Sequence, residues 1–239
     1  MRRVAIVSPV RTAVGNFGGS LKDIPAEDLA CTVIKETLER SGLDPAKVDD
    51  VILGHGYPSG ENPAIGRLAL LKAGLPIEVP GYQLDRRCSS GLQAILNACM
   101  MVQTENADVV IAGGMESMSR APHVLPGSRT GKRIGDWEMV DTMVHDGLWC
   151  CFNDTHMGNL AEGTAAEFEV TRQEQDQFAL GSHQSAIRAA GNGSFASEIV
   201  PVEVKTRKGT VTIAEDEGPR SDTSIEALTK LSTPFETGD

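Results

Sequence analysis

The chain has 239 residues, of which 22 are basic and 33 acidic, for a formal net charge of −11; 40% are hydrophobic and only 4% aromatic. That length allows one large domain or one domain with a smaller one embedded in it, and the acidic balance argues against a general nucleic-acid binder, which needs a basic footprint. No apolar run approaches the roughly 20 residues of a membrane span, so no membrane association is expected.

In chain order, residues 4–7 (VAIV) predict a first strand, too short for the core of a signal peptide. Residues 26–40 place Leu29, Val33, Ile34 and Leu38 on one helical face, and Gly42 follows as a stop. Residues 51–53 predict a strand ending at Gly54-His55-Gly56, residues 64–73 a helix closed by Gly74 and Pro76, and residues 81–84 a further strand. Over 89–103, Leu92, Ile95, Leu96, Cys99 and Met100 form an apolar helical stripe, and 107–112 predict a fourth strand ending in Gly113-Gly114. Strands alternating with helices at this spacing imply a largely parallel, layered α/β sheet. Residues 120–157 have no sustained period, and a stretch of that length is usually functional when folded. Regularity returns at 159–190, where Thr171 and Glu174 match a capping box; 199–205 and 210–213 then flank a hairpin turn.

Five cysteines occur, at 31, 88, 99, 150 and 151. The odd number and the spacings do not describe a disulfide framework, which points to a reduced, cytoplasmic protein. Cys88, in Arg86-Arg87-Cys88-Ser89-Ser90-Gly91, follows a strand and precedes an apolar helix. The first-turn N–H groups and the helix dipole favour a thiolate there, the form a nucleophile needs. By position alone, an inert buried thiol, as Cys31 and Cys99 are read to be, remains the other reading.

Cys88-Ser89-Ser90-Gly91-Leu92-Gln93-Ala94-Ile95 resembles the nucleophile motif of thiolases. The run from Arg11 through Gly15 to Leu21, Asn62-Pro63-Ala64, Gly113-Gly114-Met115-Glu116-Ser117-Met118-Ser119, and His156-Met157-Gly158 with Ala161-Glu162 are similar, in the same order, to further segments of that family. The resemblance implies a thiolase-like layered α/β fold: an incomplete N-terminal half over 1–119 and an inserted loop domain over 120–239 that covers coenzyme A. It implies acyl exchange between coenzyme A thioesters through an acyl-cysteine at Cys88, whose backbone N–H contributes to an oxyanion hole. Reversible condensation of two acetyl-CoA to acetoacetyl-CoA and coenzyme A is the expected reaction. Coenzyme A thioesters are substrates, and no separate cofactor or metal is expected.

By the same resemblance His156 and Met157 lie beside the pantetheine and acyl group, with Leu148 and Phe152 in the same stretch; packing within a core is the alternative for Met157, Leu148 and Phe152. Gly163 after Glu162, and Trp149-Cys150-Cys151, depart from the family pattern at the acyl pocket. Coenzyme A phosphates need local positive charge. The candidates are Arg129, Lys132 and Arg133, then Lys205, Arg207 and Lys208, and Arg220, with Arg207 and Arg220 nearer the nucleotide; each is otherwise a solvated charge. Residues 125–140 resemble a loop that joins dimers into tetramers. His55, His123, His145 and His183 read as structural or surface residues.

The family's Gly-His-Pro histidine and its second cysteine, in Cys-x-Gly-Gly, have no counterpart in these 239 residues. The expectation is a nucleophile-bearing subunit that works with a second polypeptide supplying the C-terminal half, in a hetero-oligomer of dimers or tetramers. The start at Met1 and the stop at a domain junction favour a naturally split enzyme over a truncated piece. A ketoacyl-synthase-type condensing enzyme and a non-catalytic coenzyme A-thioester-binding subunit are the alternatives.

Overall fold

A computed structural model describes residues 2–235 except 59 and 61. Strand β1 (Arg11–Thr12) is followed by helix α1 (Ala26–Ser41), strand β2 (Asp50–Gly54), helix α2 (Ile65–Lys72), strand β3 (Gly81–Leu84), helix α3 (Ser90–Gln103) and strand β4 (Val110–Gly114). Strands β2, β3 and β4 form one parallel sheet in the order β3-β2-β4, with Ile52 opposite Tyr82 on one side and Ala112 on the other.

β2 is the centre of the core. Its Val-Ile-Leu run is buried on both faces, as a central parallel strand demands. Because side chains alternate along a strand, Val51 and Leu53 pack with Ala30 and Ile34 of α1 and with Ile65, Ala69 and Leu70 of α2. Ile52 points the other way, onto Ala94 and Ala98 of α3. The helices therefore cover both faces of the sheet, as the alternation in sequence predicts.

Four expectations are corrected. Residues 4–7 join no ladder among the described residues, and Ile6 and Val7 are exposed; strand formation is decided by pairing and packing rather than by composition. The fourth strand begins at Val110 because the N–H groups of Asp108 and Val109 donate to the Asp49 carboxylate, at 2.7 and 2.9 Å, instead of to a neighbouring strand. The stripe on α3 is not its buried face: Ser90, Ala94 and Ala98 are buried, while Leu92 is 62% exposed and Leu96 and Met100 are exposed with it. Leu29 turns away from Ile34 to pack with Leu21, Val202 and Val204.

Beyond β4 the elements are short. β5 (His123–Val124) pairs with β6 (Val140–Asp141), and β7 (Trp149–Cys150) pairs with β8 (Thr155–His156). Helices α4 (Met157–Glu167) and α5 (Arg172–Gly191) follow, the second opened by the expected capping box, in which Thr171 and Glu174 exchange bonds. β9 (Ile199–Val200) pairs in parallel with β1, β10 (Val202–Thr206) forms a hairpin with β11 (Gly209–Ile213), and the short helix α6 (Ile225–Leu228) is capped by Ser224.

The chain divides into two compact units, Met1–Thr142 with Glu198–Glu217, and Met143–Ser197 with Gly218–Asp239. This differs from a division at 119/120. Residues 198–217 return to the first unit because Arg11 pairs with Glu198 and Asp216, and because Glu217 accepts bonds from the N–H groups of Asn16 and Ser20. The Arg11 guanidinium, first of all through its hydrogen bonds, holds the Asp216 carboxyl below its ordinary pKa.

Candidate functional site

The C-terminal ends of the three parallel strands converge, and Cys88 sits where they do. The Gly54 carbonyl accepts from Met115 N–H at 3.0 Å, and the His55 N–H donates to the Leu84 carbonyl at 3.0 Å. Arg87–Ser89 form a single tight turn that runs into α3, with Cys88 exposed at its middle. Buried Ser90 organises the turn. Its hydroxyl accepts from the Arg86 N–H at 2.7 Å and donates to the Arg87 carbonyl at 2.7 Å. Ser89 supplies no side-chain cap to α3.

The helix start lies against backbone. A Cβ on Gly54 would come within 2.4 Å of the Ser90 carbonyl carbon and 2.5 Å of the Gly91 nitrogen, and one on Gly114 would lie 3.4 Å from the Gly91 Cα. The glycines at the strand ends thus let α3 approach closely enough to fix Cys88 at the rim of the sheet.

Arg87 has φ +50, a left-handed conformation that a side chain other than glycine adopts only under restraint. Asp85 accepts from its N–H at 2.8 Å and from its guanidinium at 3.0 Å. The guanidinium also donates to the Gly56 carbonyl at 2.8 Å. Gly56 N–H in turn donates to Glu116 at 2.7 Å, and the other oxygen of Glu116 lies 3.3 Å from Nε2 of fully buried His55. Nothing in residue type announces this set; only the place of Gly54-His55-Gly56 and Glu116 at strand ends hinted at it.

The second unit carries Leu148, Phe152, His156 and Met157 on or beside the hairpin of β7 and β8, in which Trp149 lies opposite His156. His156 Nδ1 accepts the Gly158 N–H at 2.9 Å, capping α4, which leaves the proton on Nε2. Its ring stacks on Phe235 at 4.8 Å, and a Cβ on Gly158 would strike that same ring at 2.5 Å. Phe235, which the sequence reading did not single out, is therefore the brace of this histidine. Phe152 is 94% exposed and Met157 is exposed, so neither packs in a core within this chain; Leu148 is half-buried. Cys150 is buried and accepts from the Asn153 side-chain amide at 3.3 Å. The Asn153 N–H first, then that amide and the Phe152 N–H, hold its thiol below the ordinary value.

Of the two basic candidates expected nearer the nucleotide, Arg207 is exposed at the turn between β10 and β11 in the first unit. Arg220 belongs to the second unit, where its N–H donates to His183 Nδ1 at 3.1 Å and its exposed guanidinium lies 3.9 Å from Asp222. Among the described residues no group of three or more His, Cys, Asp or Glu side chains is placed to hold a metal, and no helix is long and apolar enough to cross a membrane.

Residues 4–238 match the family described as Thiolase, N-terminal domain, and the chain belongs to that family. It is 49% identical over 238 residues to an acetyl-CoA acetyltransferase of Pseudomonas aeruginosa and 48% identical over 239 residues to one of Cupriavidus necator, covering 98% and 99% of this chain. It spans 60% of the length of each of these relatives. The crystal structure of the Bacillus anthracis acetyl-CoA acetyltransferase superposes with a TM-score of 0.91 at 40% identity, over 95% of this chain and 57% of that one. The fold is thiolase-like α/β.

Proposed function

We propose that this chain carries the acylated residue, Cys88, of a thiolase-type acyl transfer between coenzyme A thioesters. The observation that carries the reading is an exposed cysteine, in a chain of this family, held at the strand ends in front of an α3 start that the Ser89 side chain does not cap. The Cys88 thiolate attacks the acetyl thioester carbonyl, the bond from carbonyl carbon to the coenzyme A sulfur breaks, and coenzyme A leaves as the thiolate. In the condensing direction, the α-carbon of a second acetyl-CoA loses a proton and attacks the acetyl-cysteine, giving acetoacetyl-CoA and the free thiol. Backbone N–H groups at the turn supply part of the oxyanion hole, where one fixed donor is worth about 3 kcal/mol of barrier.

The base for that proton is assigned to a second polypeptide segment bearing Gly-His-Pro and Cys-x-Gly-Gly. The open stripe of Leu92, Leu96 and Met100 supports a covering partner, because apolar helical stripes are normally buried. In this reading His156, Met157, Leu148 and Phe152 serve the acyl and pantetheine end, with short acyl chains preferred, and Arg220 and Arg207 serve the nucleotide end. Five free thiols fit a reducing compartment such as the cytoplasm.

The test is to co-express the chain with a thiolase C-terminal half, incubate with acetyl-CoA and map the adduct by mass spectrometry. Acetyl is expected on Cys88, and Cys88→Ser is expected to lower acetoacetyl-CoA thiolysis by about 10³-fold or more while leaving the fold intact. Label on Cys150 or Cys151 with Cys88 bare would end this assignment.

A further inference from the structure

We propose that Glu116 and Arg87 are positioning residues for Cys88, acting through the backbone of Gly56. The inference rests on Cys88 being the reactive thiol, and it concerns what holds that thiol in place. Arg87 is the residue immediately before Cys88, and its φ of +50 is disfavoured for any side chain. Two anchors restrain it. Asp85 grips it locally, at 2.8 Å to its N–H and 3.0 Å to its guanidinium. The second anchor crosses the sheet: guanidinium to Gly56 carbonyl at 2.8 Å, then Gly56 N–H to Glu116 at 2.7 Å.

Glu116 is thus the far end of a chain of bonds that begins at the residue next to Cys88. His55 braces it at 3.3 Å from within the core. The other ring nitrogen of His55 is buried with no hydrogen-bond partner among the described residues. A buried polar atom left without a partner is costly, so His55 is not there to optimise the core. The one described polar contact of its ring is with Glu116. All of these groups lie in the first unit, so the device is complete within this chain.

The consequence is an orientation rather than an exposure. Cys88 is already exposed, so loosening its turn gives it no further access; it can only lose the place in front of α3 that the Arg87–Ser89 turn and the Ser90 hydroxyl fix. Charge and positioning then predict opposite outcomes at Glu116. If its negative charge mattered through space, removing it would make Cys88 more reactive. If it positions the turn, removing its acceptor makes Cys88 less reactive, whereas Glu116→Gln, which keeps an oxygen for the Gly56 N–H, leaves reactivity nearly unchanged.

The experiment uses the 239-residue chain and iodoacetamide, a neutral reagent that needs no thioester. The rate of carbamidomethylation at Cys88 is read by peptide mass spectrometry, with exposed Cys151 as the internal reference and circular dichroism as the check on folding. Glu116→Ala and Arg87→Ala are expected to slow Cys88 about five- to tenfold relative to Cys151. Glu116→Gln and Arg87→Lys, which can still make the bonds to Gly56, are expected to stay within about twofold of the parent chain. High salt, which screens charge through space, is expected to leave the losses in place. Arg87 is largely exposed, so Arg87→Ala and Arg87→Lys keep the comparison available if Glu116→Ala does not fold. Alanine variants that react at the parental rate, or faster, overturn the proposal, as does a loss at Arg87→Ala that Arg87→Lys does not restore. Failure of acetyl-CoA to label Cys88 would count against the acyl-transfer reading alone, since the alkylation rates do not depend on it.

Discussion

Helix α2 of the first unit has eight residues and sinks Ile65, Gly66, Ala69 and Leu70, whereas α5 of the second has 20 and buries only Asp176. The contrast extends to the whole of each unit. The first packs α1, α2 and α3 on both faces of a strand that is itself fully buried. In the second, Cys150 and Asp176 are the only buried side chains among the described residues. Its helices are instead fastened at single points. Thr171 and Glu174 cap α5; Arg172 binds Asp176 at 2.9 Å and the Leu228 carbonyl at 2.6 Å; His183 takes the Arg220 N–H. Burial scales with area and fixes many atoms at once, while a cap or an ion pair fixes one point. The position of Cys88 is therefore set by a core, and that of His156 by a two-residue ladder, one cap bond and one stacked ring.

Substitutions that separate the two modes should rank accordingly. Each unit contains one tryptophan, Trp137 in the first and Trp149 in the second, so unfolding of each can be followed by fluorescence in a chain whose other tryptophan is replaced by phenylalanine. Gly54→Ala puts a methyl group against the backbone of Ser90 and Gly91. It should cost about 4 kcal/mol or more at Trp137 and should displace the start of α3; a loss below 1 kcal/mol would show that the strand ends are loosely packed.

Asp216→Asn comes next, at about 2 kcal/mol near neutral pH, because it weakens a charge-assisted pair with Arg11 that is largely shielded from solvent. The folded-state pKa of Asp216 is depressed, so its contribution is present above the unfolded carboxyl value of about 4 and is lost as pH falls through the lower folded value. The parent chain and Asp216→Asn should accordingly converge in stability in acid, when unfolding midpoints are measured against pH. Thr171→Ala should cost about 1 kcal/mol, at Trp149 and not at Trp137. Phe178→Ser, at a side chain 82% exposed, should change stability by about 0.5 kcal/mol or less. If it destabilised the second unit by several times that, the picture of a unit held at single points would be wrong.

The sequence was legible where periodicity and residue type carry the signal. Alternation, small apolar runs and glycine stops located α1, β2, α2 and β3, and the Thr171–Glu174 spacing located the start of α5. The motif around Cys88 located the candidate nucleophile, because its residues are themselves the signal. The orientation of α3 was not legible: Leu92, Leu96 and Met100 outrank Ala94 and Ala98 in hydrophobicity, yet the close approach at Gly54 and Gly114 favours the small side chains next to the sheet. The support behind Cys88 was hidden for a different reason. It runs through the carbonyl and N–H of Gly56, which every residue possesses, so no pattern of side chains could reveal it. Residues 4–7 carry a strand's composition, but a strand is a relation between two segments, and composition names only one.

The pairing of β1 with β9 also governs the order in which the molecule can be made. Arg11 meets Glu198 across a sequence separation of 187 residues and Asp216 across 205. During synthesis the early helices and strands emerge first, but the first unit cannot close until residue 217 has left the ribosome, after all of 143–197. Such high contact order slows folding, since the entropy of a long loop must be overcome before its contacts form. Through that interval Leu21 and Leu29 lack the valines of β10 that cover them in the finished chain, and a nascent chain stalled before residue 198 would present that bare surface to chaperones or to its own kind.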